Sequence, residues 1–123
     1  MDRPDLIPAV FESPAHPAVV SWARAFAASA SIAAGADEEC ADNVRLAVSE
    51  IVTLAMAVDS SAPIRIELVA TEEAIVMEVE PWSTELPDDP VVDPWMVITS
   101  IADEVTVSGA KVTVKCNFVD SPC

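Results

Sequence analysis

Glycine is almost absent from this chain: Gly35 and Gly109 are the only two in 123 residues. A loop that brings backbone N–H groups onto a phosphate relies on the missing Cβ of glycine, so a glycine-rich phosphate cradle is excluded. Cations are scarce too, with six Lys and Arg against twenty-one Asp and Glu, a formal charge of −15. Nucleic-acid backbones are bound by neutralising them with Lys and Arg, so direct nucleic-acid binding is not expected. The cysteines Cys40, Cys116 and Cys123 are odd in number and form no Cys-x-x-Cys, and His16 is the lone histidine. Neither a metal site nor a disulfide framework is expected from such a set, and Cys40 reads as a small buried hydrophobe. No run approaches the roughly 20 apolar residues of a membrane span. Met1-Asp2-Arg3-Pro4-Asp5 is neither cationic nor followed by an apolar signal core. A cytoplasmic protein without membrane contact is the expectation.

The residues that are present, 52% hydrophobic and 22% charged, suffice for the core of one compact domain spanning residues 1–123. The acidic surface serves solubility, or steers the chain towards a basic protein partner. Residues 6–12 read as a strand that Pro8 marks as an edge. Ser13 and Pro14 suit a helix start, and Val19, Ala23, Phe26, Ala27 and Ala30 recur at three and four residues, the spacing of a buried helical face that ends near Gly35. Asp37, Glu38 and Glu39 place negative charge where the dipole of a second helix favours it. Its stripe of Val44, Ala47, Val48, Ile51, Ala55 and Val58 runs to about Asp59. The period then changes to two: Ile64, Ile66 and Leu68 alternate with Arg65, Glu67 and Val69, and Ile75, Met77 and Val79 follow after Thr71-Glu72-Glu73, which predicts an antiparallel hairpin. Residues 81–93 read as a loop. Asp93 and Pro94 open a short helix over residues 95–103, and residues 105–107 and 112–114 close the chain as a second hairpin around Gly109. Two antiparallel hairpins and three helices, each with one apolar face, predict an α+β fold: a two-layer α/β sandwich of mostly antiparallel sheet with the helices on one face.

That element order, together with Arg45-Leu46-Ala47-Val48-Ser49-Glu50-Ile51-Val52-Thr53 on the second helix, resembles the anti-sigma-factor serine kinases of the RsbW and SpoIIAB type. These belong to the histidine-kinase-like ATPase superfamily. Val97-Ile98, Ile101-Ala102-Asp103-Glu104-Val105 and the segment from Gly109 into Val112-Thr113-Val114 are similar to the family's C-terminal helix and hairpin. Trp22-Ala23-Arg24 resembles an aromatic-Ala-Arg element of its first helix. The similarity covers residues 11–118. It implies that Glu50 stands where the general base of the kinase would act, and that Arg24 stands where an arginine binds the sigma factor and the anti-anti-sigma (STAS) protein. It also implies a homodimer formed through the sheet side and first strand, which exposure of Val10 and Phe11 would fit.

The departures from the pattern bear on mechanism. The Asn that coordinates magnesium, four residues after the Glu, is replaced by Leu54, which has no oxygen for a hard cation. The Asp-x-Gly-x-Gly loop is replaced by Glu80-Pro81-Trp82-Ser83. The Gly-x-Gly-Leu loop is replaced by Val92-Asp93-Pro94-Trp95, which adds a carboxylate and removes a donor. Leu54, Pro81, Trp82, Asp93 and Pro94 are therefore degenerate nucleotide positions, and no cofactor and no metal are expected. Glu50 lies between Leu46 and Leu54 as a remnant base, because a base without a bound nucleotide has no phosphoryl group to move. Trp82 and Trp95 either fill the vacated cavity or offer apolar surface to a partner. On the partner side, Trp22 beside Arg24 reads as an interface anchor, while Val20 replaces an acid of the family one turn earlier. The expected function is an anti-sigma factor that sequesters a sigma factor by protein binding, without kinase activity. One alternative is an ATP- and Mg2+-dependent serine kinase acting on an anti-anti-sigma protein. The other is a non-catalytic dimeric signalling adaptor.

Overall fold

The computed structural model describes residues 8–58, 61–81 and 94–118; of residues 58, 94 and 95 it describes the backbone alone. Its elements are β1 (Ala9–Ser13), α1 (Val19–Ala33), α2 (Glu38–Val58), β2 (Ile64–Ala70), β3 (Ala74–Glu80), α3 (Pro94–Ile101), β4 (Glu104–Ser108) and β5 (Lys111–Asn117). The five strands form one sheet in the order β1-β2-β3-β5-β4, and every neighbouring pair is antiparallel. Both expected hairpins are present, and β1 lies at an edge, as Pro8 implies.

Period two in the strands becomes a clean division of the sheet. Ile64, Ile66 and Leu68 of β2, Ile75, Met77 and Val79 of β3, and Val112, Val114 and Cys116 of β5 are buried beneath the helices. The intervening Arg65, Glu67, Glu78 and Lys111 form a charged outer face: Arg65 Nη1 meets Glu67 Oε2 at 3.0 Å, and Lys111 Nζ meets Glu78 Oε1 at 3.5 Å. The helices close the core from one side. Val44, Ala47, Val48, Ile51 and Ala55 of α2, with Val19, Ala23 and Ala27 of α1, are all buried. The fold is α+β, a five-stranded antiparallel sheet with a helical layer.

Both glycines serve turns. Gly35, at φ 99°, ends α1: its N–H donates to the Ile32 carbonyl and the Ala36 N–H to the Ser31 carbonyl, each at 3.0 Å. That pair of bonds is a Schellman motif, which requires a left-handed residue after the cap. Gly109, at φ 59°, leads the two-residue turn between the paired Ser108 and Lys111, the position that favours glycine in a tight hairpin. Between β2 and β3 the Thr71 hydroxyl accepts hydrogen bonds from the N–H groups of Glu73 and Ala74 at 3.2 and 3.0 Å.

Three expectations are corrected. Helix α1 starts at Val19 and not at Ser13-Pro14: Ser13 completes β1, and the start is held by His16, whose Nδ1 accepts from the Ala18 N–H at 2.9 Å. The third helix ends at Ile101, because the Asp103 carboxylate turns away to accept the Asn117 N–H at 2.6 Å and the Asp103 N–H donates to the Lys115 carbonyl. Phe11 is not exposed. It points to the helical layer, with its ring centroid 5.5 Å from that of Phe26, whereas Val10 is 43% exposed on the edge strand.

Candidate functional site

Helix α2 carries the candidate site because successive residues rotate by about 100°. Its buried stripe leaves two separate flanks. One holds Glu50, half-buried, with exposed Leu46 one turn before it and Leu54 one turn after it; residues four apart stack on one face. Leu54 is 3% exposed and belongs to the hydrophobic core. A hydrocarbon buried at this point can offer neither an oxygen to a magnesium ion nor a hydrogen bond to a nucleotide. The residues present therefore do not fit a magnesium-nucleotide pair at position 54. Pro81 is exposed at the end of β3. Trp82 and Asp93, and the side chains of Pro94 and Trp95, lie outside the described residues.

The other flank faces α1. Arg45 lies five residues before Glu50, which separates the two by about 140° around the helix. It lines a surface groove with Ser21, Arg24, Ala25, Ala28 and Ser29 of α1. Arg24 is exposed, and among the described residues it makes no ion pair. Trp22 is 45% exposed but does not stand beside Arg24: two residues of helix set them about 200° apart, and Trp22 stacks on His16 with ring centroids 4.7 Å apart. The expected Trp22-Arg24 anchor is thus divided between opposite edges of the α1 surface. Val20 is half-buried and packs against the core, so it cannot substitute for a polar contact. Sequence reasoning missed Arg45 and the His16 stack. The rotation of Arg45 away from Glu50 was a usable signal, whereas the His16 stack depends on the turn that precedes α1.

The two described thiols belong to the core. Cys40 Sγ donates to the Cys116 carbonyl at 3.5 Å, and both cysteines are free and buried. Burial pushes the Cys40 thiol up to about 11, aided by the charges of Asp37 and Asp103. Burial likewise pushes Cys116 up to about 12, aided by Cys40 and Asp103. Neither thiol is a nucleophile near neutral pH. Among the described residues no cluster of His, Cys, Asp and Glu could hold a metal ion, and no helix is long and apolar enough to cross a membrane.

No curated protein matches the chain. The family model for the histidine kinase-like ATPase domain matches residues 13–93, from the last residue of β1 to the residue before α3. That segment is more than half of the chain and contains α1, both flanks of α2, and the β2-β3 hairpin. The chain belongs to the histidine kinase-like ATPase domain family.

Proposed function

We propose that the protein is a non-catalytic anti-sigma factor, which sequesters a sigma factor through the exposed surface of α1 and needs no nucleotide to do so. The observation that carries this reading is the contrast between the two flanks of α2. On the Glu50 flank the position of the metal ligand is a buried leucine, which supports the loss of phosphoryl transfer. On the α1 flank Arg24 is exposed and unpaired among the described residues, which supports retained partner binding. Release then depends on a competing protein, such as an anti-anti-sigma protein, and not on a phosphorylation cycle. A homodimer through the β1 side of the sheet is part of the proposal, supported by exposed Val10 on that edge.

One observation favours the kinase alternative: Glu50 is only half-buried and remains accessible to a substrate hydroxyl. Calorimetric titration with Mg·ATP separates the readings, since a kinase must bind nucleotide. The partner is tested by affinity capture of the tagged chain from its native cell extract beside Arg24→Ala, with bound proteins identified by mass spectrometry. Wild type should retain a sigma factor and the variant should not. Retention of unrelated proteins alone would move the function to the signalling adaptor.

A further inference from the structure

Helix α1 is fifteen residues long and carries one charge, Arg24, in a chain with twenty-one acidic residues. Its groove with α2 adds a second cation, Arg45, in a depression of about 320 Å³. Other described cations lie on the sheet, where Arg65 and Lys111 are held by glutamates. Arg45 reaches Asp42 at 3.3 Å, with both side chains well exposed, and such a surface pair is exchanged readily for a better partner. Ala25 and Ala28 keep the rest of the groove shallow, so a second helix can approach closely, and Ser21 and Ser29 add hydroxyl donors.

The chemistry of the groove selects its ligand. Phosphate sites draw on several free backbone N–H groups at helix N-termini or in nests, but of the residues lining this groove only Ser21 lies in a first helical turn; the others sit further along α1 and α2, where backbone donors are engaged in the helices. Beside that single first-turn donor the groove offers two guanidinium forks and two hydroxyls, a set that matches the carboxylates of a docking helix. We propose that the α1-α2 groove receives a carboxylate-bearing helix of a partner protein, and that Arg45 acts jointly with Arg24 to determine which partner is accepted. The inference rests on the partner-binding reading of α1 above and adds the chemistry of the partner and a second recognition residue. The net charge of −15 opposes an acidic partner at long range, so recognition depends on contact within the groove and not on steering.

The test is a 15N-resolved NMR titration of the whole chain with a helical peptide carrying two Glu four residues apart, and with its Gln counterpart. Salt at about 0.15 M confines the net repulsion to roughly 8 Å. The Glu peptide should shift the amides of residues 21–29 and of Arg45, and the Gln peptide should not. Arg24→Ala and Arg45→Ala should each weaken binding by about tenfold or more, with Arg45→Lys intermediate because it keeps the charge and loses the fork. Undiminished binding by Arg45→Ala, equal binding of the Gln peptide, or stronger shifts with inorganic phosphate would overturn the proposal. A sigma factor captured equally by wild type and Arg45→Ala would overturn the groove and leave the anti-sigma function standing. Glu-specific shifts without any captured sigma factor would do the reverse.

Discussion

Single residues set the chemical limits of this protein, and Leu54 sets the tightest. Changing Leu54 to Asn supplies the oxygen that the proposed reading finds missing but places an amide in a core position that is 3% exposed. The expected result is a loss of about 2–4 kcal/mol in stability, from lost apolar burial and an unpaired amide, with no Mg·ATP binding gained; chemical denaturation and calorimetry measure both. A neutral Leu54→Asn that bound Mg·ATP would mean that the pocket survives beneath the leucine. The buried thiols make a pH prediction. Their folded values, about 11 for Cys40 and about 12 for Cys116, lie above the ordinary 9.0. Below pH 9 both thiols are neutral whether the chain is folded or unfolded, and the stability of the buried state is fully present. Above pH 9 the unfolded chain ionises first, so each thiol removes about 1.4 kcal/mol per pH unit until its folded value is reached. Denaturation at pH 8 and 10.5 should reveal the loss, and Cys40→Ala should reduce it. That an apolar residue stands four positions after Glu50 was legible, because that spacing is local to one helix. The Arg24-Arg45 groove was not legible in that way, since it depends on how two helices pack.

At the scale of elements, periodicity decided most of the architecture. The buried stripe of α2 and the alternation in β2 and β3 were legible because each apolar face has one regular spacing and one layer to bury against. Helix starts were not: Ser13 looked like a cap, yet pairing with Ile64 draws it into β1, and a tertiary ladder prevails over a local capping preference. Gly35 tests the turn at the end of α1. A Cβ there would meet no atom within 4 Å, so Gly35→Ala carries only the backbone cost of a left-handed alanine, about 1–2 kcal/mol, and thermal denaturation should show it; a neutral result would mean that the Schellman turn is not maintained. Ser31 tests packing in the same helix. Its hydroxyl is fully buried and, among the described residues, has no hydrogen-bond partner. An unpaired buried hydroxyl costs stability, so Ser31→Ala should stabilise the fold by about 1 kcal/mol, read from the same melts.

Across the whole molecule, charge and fold divide the labour. The outer sheet face is a charged ladder around Arg65, the core lies between sheet and helices, and the exposed surface of α1 carries no carboxylate. A histidine kinase-like ATPase domain with a buried leucine at position 54 keeps the scaffold of its family, and on the reading proposed above the α1 side of α2 is its protein-binding surface. The central claim is that this surface holds a sigma factor without nucleotide. The most direct measurement is affinity capture of the tagged wild-type chain from native extract depleted of ATP, with the bound proteins identified and quantified. The account predicts a sigma factor retained equally whether or not Mg·ATP is restored. Absence of any sigma factor, or its retention only after Mg·ATP is added, would contradict it.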